Sequence, residues 1–243
     1  MILRSSYFMF RRMLRSYVGM AILVLTPLAL ITVLGFIVDG AMSESQGIPM
    51  IDEVVVIMTL TFLMYGGFYT MEYVQGDLMT SMKWRMYSLP YEAHKHAYAI
   101  LISSTLFNVL QSFVIVIYTI FVYDVHWGNM GLVLLILLVV SIVIQLIYIN
   151  FVLGVKTYKT AERLGTGFGL LCLALGEVWF PLPEGTFFQF IASYSNPFSL
   201  GKNMIFATMT GEHIDKAFIS LGILIAWAVG LSILAVYFGR RKL

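Results

Sequence analysis

The residue types that could carry catalysis or bind a metal are few and widely spaced in this sequence. His94 and His96 stand two positions apart, so on a helix they point to different sides, and His126 and His213 are isolated. The sequence contains no Gly-x-x-x-x-Gly-Lys-Ser/Thr phosphate loop, no His-Glu-x-x-His zinc motif and no Gly-x-Ser-x-Gly elbow. We therefore predict that this chain has no catalytic site, binds no metal and holds no cofactor.

The most polar stretch runs from Glu72 to Tyr98, between two long apolar runs. Its middle, LMTSMKWRMYSLP, mixes apolar side chains with Lys83 and Arg85, and a short helix is predicted to end before Pro90. A short helix of this composition suits a socket in another protein, and it equally suits a lipid surface. The residues alone leave both interpretations open.

A second group of polar side chains lies within the apolar runs themselves. These are the amides Asn108, Gln111 and Gln145 and the carboxylate Glu177. Amides in a membrane more often form hydrogen bonds between helices than line a pathway. Glu177 is able to line a substrate path or, four residues before Pro181, to reach water. We treat these four as candidates for a substrate path.

The elements that must position these residues are membrane spans. The sequence is 60% hydrophobic and 12% charged, with a mean hydropathy of +0.88, which exceeds what a soluble core requires. About 20 apolar helical residues cross a bilayer. The apolar runs lack the alternation of barrel strands, so we predict an all-α integral membrane protein. The six predicted spans are Tyr17–Val38, Val54–Met71, Ala97–Tyr123, Gly131–Val155, Leu164–Phe180 and Ala217–Gly239.

The distribution of lysine and arginine predicts the orientation of the chain. Thirteen of the 15 basic residues flank the same side of the six predicted spans, and only Lys202 and Lys216 fall on the other side. By the positive-inside rule, both termini and the stretch from Glu72 to Tyr98 are expected in the cytoplasm. The basic residues are spread over four segments, so nucleic-acid binding is not predicted.

The one cysteine, Cys172, is expected to pack inside a span.

Two further segments are predicted to lie at the membrane surfaces. Residues 1–16 form an amphipathic pattern with Arg4, Arg11 and Arg15 on one face, typical of a helix at the inner surface. It serves either as a simple anchor or as a contact for a cytoplasmic partner. The outer connection, residues 181–216, is rich in Phe and Ile. Asn196 and Pro197 predict a helix start and Gly211 a stop, so we expect two short helices dipping into the outer leaflet.

The order of these features resembles the permease subunit of type-2 ABC transporters. In that family an acidic residue, a Gly-Thr-Leu-like turn, a coupling segment and a proline follow the second span, and Asp77 stands here where threonine is more usual. The outer Phe-Pro, short helix, Asn-Pro and glycine-terminated helix are similar to the family's outer re-entrant element. The positions assigned to ATPase coupling are Glu72, Gly76, Asp77, Leu78, Lys83, Arg85, Leu89 and Pro90.

This resemblance implies a single permease domain over residues 1–243 in the cell membrane. ATP and Mg would bind to a separate ABC ATPase subunit, and a second permease, identical or related, would complete the pair. The apolar spans favour export of an amphipathic substrate such as an antibiotic, drug, peptide or lipid. The alternatives are a secondary transporter, an intramembrane enzyme, and a structural or immunity protein that does not transport.

Overall fold

A computed structural model describes residues 2–38, 40–43, 47–80, 93–183 and 185–242 of the chain. Among the described residues, 84% are in helices and none is in a strand, so this part of the chain is all-helical. A π-helical turn, Gln75–Met79, follows the fourth helix. The α-helices in chain order are α1 (Ile2–Leu14), α2 (Tyr17–Ile37), α3 (Met50–Tyr65), α4 (Gly67–Val74), α5 (Ala93–Tyr123), α6 (Met130–Gly154), α7 (Tyr158–Leu175), α8 (Thr186–Tyr194), α9 (Pro197–Thr210) and α10 (Ile214–Lys242).

Five stretches in the described part of the chain are long and apolar enough to cross a membrane. They are Tyr17–Ile37, Met50–Met79, Lys95–Tyr123, Met130–Gly154 and Ile214–Arg240. The second is longer than expected: it begins at Met50 and continues through α4 and the π-turn to Met79, well past the predicted end at Met71. The chain is therefore a multi-pass membrane protein.

The predicted span Leu164–Phe180 differs from the helix found at that position. Helix α7 has 18 residues, starts at Tyr158 and ends at Leu175. It begins earlier because Thr157 caps it, its side chain accepting a hydrogen bond from the Thr160 amide. The first turns of α7 therefore carry Lys159, Glu162 and Arg163. These charged residues lower the apolar content of α7 below that of the five membrane-spanning stretches.

Helix α6 is the centre of the bundle. Its most apolar window is 67% buried inside the chain, whereas the corresponding window of α10 is only 11% buried. The Tyr148 side chain is fully buried and its hydroxyl donates to the Gly165 carbonyl at 3.3 Å. A Cβ atom on Gly67 would lie 2.4 Å from the Tyr148 ring, so glycine lets α4 approach α6 closely. Tyr148 thus joins α4, α6 and α7.

The N-terminal helix α1 packs against α5. Met9 and Met13 are buried, and Ser103 Oγ of α5 donates to the Ser6 carbonyl at 2.8 Å. Leu3 is 80% exposed and Phe8 is also exposed. Part of the apolar face of α1 is therefore covered by protein, and another part is open to the surroundings.

The outer connection contains two short helices, α8 and α9. The prediction for α9 is confirmed: the Asn196 side chain accepts from the Ser199 amide at 2.9 Å, Pro197 is the first residue, and Gly211 ends the helix at φ 73°. Most of α9 is buried in the bundle, whereas Phe187 and Phe190 of α8 are exposed. How these helices sit in a bilayer remains a prediction.

Candidate functional site

The second span is interrupted at Gly66, between α3 and α4. The Asn108 side chain of α5 fills the space that glycine leaves, since a Cβ atom on Gly66 would lie 1.6 Å from Asn108 Oδ1. Asn108 Nδ2 donates to the Leu63 carbonyl at 2.9 Å, directly beside the interruption. Backbone carbonyls in apolar surroundings need a hydrogen-bond donor, and at a helix break the backbone no longer supplies one for every carbonyl. The Asn108 side chain provides such a donor here.

The end of this span is the candidate functional site, because it leads into the polar stretch identified in the sequence. A turn was expected at Gly76, Asp77 and Leu78. The chain instead stays helical and widens into the π-turn. Such turns occur mostly as single insertions in α-helices and are frequent at functional sites. Leu78 is buried with 2% of its surface exposed, and Asp77 is buried with 5% exposed.

The buried Asp77 carboxylate is held by side chains from two other helices. Arg12 Nη1 of α1 donates to both carboxylate oxygens at 2.9 Å. His96 Nε2 of α5 lies 3.0 Å from Asp77 Oδ2. The Arg12 guanidinium also lies over the Tyr73 ring, 4.9 Å from its centroid. We call Arg12, Tyr73, Asp77 and His96 the Asp77 cluster.

Sequence reasoning found Asp77 but did not find Arg12 or His96 as its partners. One signal was present: Arg12 lies about 100° around the helix from Arg11, outside the basic face formed by Arg4, Arg11 and Arg15. A charge outside the basic face of an amphipathic helix favours a specific partner. The identity of that partner required the packing of α1 against α5.

The remaining coupling candidates divide into two groups. Glu72 is exposed and Gly76 is partly exposed, and among the described residues no packing neighbour comes within 4 Å of where a Gly76 Cβ would lie. The other four lie outside the described residues: Lys83, Arg85, Leu89 and Pro90. The structure therefore brings Asp77 and Leu78 into the protein and leaves Glu72 accessible to another molecule.

The three amide candidates for a substrate path lie inside the bundle, where they join helices. Gln111 Nε2 donates to the Leu23 carbonyl of α2 at 2.9 Å. The Thr70 hydroxyl donates to Gln145 and lies 2.7 Å from the Ser104 hydroxyl. Each amide is at least 98% buried, and each has one polar atom that finds no hydrogen-bond partner within the described part of the chain. These bonds tie α2, α4, α5 and α6 together, and a role in a path stays a prediction.

Glu177 lies just beyond α7 rather than inside a helix. Its φ is 61°, and its side chain accepts a hydrogen bond from the Leu182 amide at 3.2 Å. Lys202 of α9 donates to the neighbouring Gly176 carbonyl at 2.9 Å. Burial lowers the pKa of the Lys202 ammonium, and the Glu177 and Glu53 carboxylates oppose this shift. Glu177 therefore helps to shape the connection between α7 and α8.

Comparison with known families gives a match over most of the chain. The sequence model of the ABC-2 type transporter family matches residues 5–210, from α1 through α9, and so includes the Asp77 cluster. A comparison with curated proteins gives no significant match.

Proposed function

Since this chain belongs to the ABC-2 type transporter family, we propose that it is the permease subunit of an ATP-driven exporter. The family's membrane component normally works with an ABC ATPase subunit. The family match over residues 5–210 carries the proposal, together with a helical bundle whose second span is followed in the sequence by a polar stretch. ATP and Mg bind to the partner, and this chain supplies the membrane path.

Both termini lie in the cytoplasm in this proposal, so the chain crosses the membrane an even number of times. Basic residues flank the first span at Arg15 and the last span at Arg240, which supports placing both ends on the same side. We assign the sixth crossing to α7 and the residues up to Phe180. The 18 residues of α7 span about 27 Å, close to the thickness of a bilayer core.

Cysteine labelling tests this topology. With an impermeant reagent added outside intact cells, we expect labelling at Trp179→Cys and none at Lys159→Cys, because both residues are exposed at opposite ends of α7. Labelling of both from the same side contradicts a crossing by α7.

The stretch from Glu72 to Pro90 is proposed to transmit the motion of the ATPase. Glu72, exposed at the site, together with Lys83 and Arg85, would contact the ATPase. ATP shifts the equilibrium between the inward-open and outward-open states of the permease. The size of this shift is limited by the difference in the binding free energy of ATP for the two states. A second permease, identical or related, completes the path. Helix α1 lies at the inner membrane surface, and α8 and α9 dip into the outer leaflet.

The substrate is proposed to be amphipathic, such as an antibiotic, drug, peptide or lipid. Large apolar side chains are exposed on α8, including Phe187 and Phe190 at the outer connection. Such side chains favour contact with the apolar part of a substrate or with lipid over contact with a small ion.

Reconstitution with an ABC ATPase tests the proposed function. We expect the tagged chain to retain the ATPase during purification, and the complex in proteoliposomes to hydrolyse ATP and move a compound from a panel of amphipathic drugs, peptides and lipids. Gly76→Pro, or Lys83→Glu with Arg85→Glu, should abolish transport while insertion is preserved. Lys216→Glu, an exposed cation at the other end of the bundle, is the matched control. Failure to retain any ATPase refutes the proposal.

A further inference from the structure

The Asp77 cluster joins the elements that lie before and after the middle of the polar stretch in the sequence. Asp77 is near the end of the second span and His96 near the start of α5, so their contact at 3.0 Å joins the two described elements that precede and follow residues 81–92 in the sequence. Arg12 adds a third element, because both of its contacts to Asp77 come from α1. The ends of the stretch are thus fixed to each other and to the N-terminal helix.

The charges in this cluster make the connection specific. Only 7% of the Asp77 side chain is exposed, so its carboxylate has lost most of its hydration and depends on the hydrogen bonds it receives from protein side chains. Removing one partner from a buried carboxylate leaves a poorly compensated charge, which is more disruptive than losing an exposed pair. The Arg12 side chain is 55% exposed, with its guanidinium over Tyr73, so substitution of Arg12 leaves the buried packing of α1 in place.

We propose that Arg12 and His96 are positioning residues for coupling, acting through Asp77. They hold α1 and both ends of the polar stretch as one unit, so that a displacement of that stretch moves α1 and α5 together. Without them, the stretch moves independently of α1, and the motion of the ATPase is not transmitted to α1 and α5. This inference rests on the proposed function for its consequence, whereas its structural part concerns the permease alone.

The structural part is tested on the isolated permease in nanodiscs. Spin labels are placed at Tyr7→Cys on α1 and at Thr80→Cys, both exposed, in a Cys172→Ser background that removes the only cysteine. Arg12→Gln and Asp77→Asn should each broaden the distance distribution about twofold, as expected when a local unit loosens. Arg11→Gln is the matched control, since Arg11 is exposed on the same helix and forms no ion pair within the described residues.

The functional part is tested on the reconstituted complex with ATP. Per folded complex, Arg12→Gln should lower the amount of substrate moved per ATP hydrolysed at least about fivefold, the low end for coupling between sites, with KM for ATP unchanged. The double variant with Asp77→Asn should be no worse than Asp77→Asn alone, since Asp77→Asn already removes the charge with which Arg12 pairs. His96→Gln, which keeps a donor, should lose less than His96→Ala.

These outcomes separate the inference from the proposed function. An unchanged distance distribution in both variants overturns the inference, and so does broadening with full retention of transport per ATP hydrolysed. Additive losses in the double variant also overturn it, because Arg12 would then act on something other than Asp77. A wild-type permease that binds no ATPase instead refutes the proposed function, while the distances in nanodiscs still decide whether the unit exists.

Discussion

Substitution of Gly67 by alanine tests the packing that holds the second span against the centre of the bundle. The new Cβ would lie 2.4, 2.7 and 2.8 Å from three atoms of the Tyr148 ring. One of these is Cγ, at the root of the ring, so a small rotation of the side chain cannot remove the overlap. Because Tyr148 is fully buried, either α4 or the ring must shift.

The expected free energy follows from two opposing effects. Overpacking a core typically costs about 1–3 kcal/mol. Alanine is intrinsically about 1 kcal/mol better than glycine inside a helix. Gly67→Ala should therefore lower the free energy of unfolding by up to about 2 kcal/mol. In Gly222→Ala in α10, no packing neighbour among the described residues lies within 4 Å of the new Cβ, so this variant should gain up to about 1 kcal/mol of stability.

Equilibrium unfolding in mixed detergent micelles measures both variants. The difference between them isolates the steric cost, about 1–3 kcal/mol, because the helix propensity is common to both. In a Tyr148→Ala background the cost of Gly67→Ala should disappear, since the overlapping ring is gone. Equal stability of Gly67→Ala and Gly222→Ala would refute the close packing of α4 on Tyr148.

Three further predictions address other elements. Asn196→Ala removes the cap on α9 and should cost about 1 kcal/mol in the same unfolding assay, whereas Asn196→Asp should retain most of the stability. Asn108→Ala removes the donor to the Leu63 carbonyl and should cost about 1–3 kcal/mol; a cost near zero would show that water or another group replaces it. Cys172 is fully buried, so a maleimide should label it only after denaturation, and rapid labelling of the folded protein contradicts its position in α7.

Several features could be predicted from the sequence because their physical cause is local. Long apolar runs must form helices in a bilayer, and the structure contains spans over five of the six predicted runs. The start and end of α9 were also predictable, since an Asn-Pro cap and a left-handed glycine act through neighbouring backbone atoms. The resemblance drawn from the order of these motifs agrees with the family match.

Features that depend on charge pairing or local backbone choice were predicted less well. The turn at Gly76 and Asp77 that the resemblance implied was wrong: the chain stays helical there, and Asp77 is buried because Arg12 pairs with its carboxylate. Glu177 was expected within a span but follows α7, whose start is set by the Thr157 cap. Lys83 and Arg85 lie outside the described residues, so their coupling role stays a prediction.

The sequence by itself determined that this protein is a bundle of membrane-spanning helices with a polar stretch after the second span. Hydropathy and charge distribution are sums over neighbouring residues, and they need no knowledge of which helices touch. Only the tertiary structure decided that Asp77 is buried between Arg12 and His96, residues 65 and 19 positions away. Contacts at such separations depend on how α1, the π-turn and α5 pack together, which no local pattern specifies.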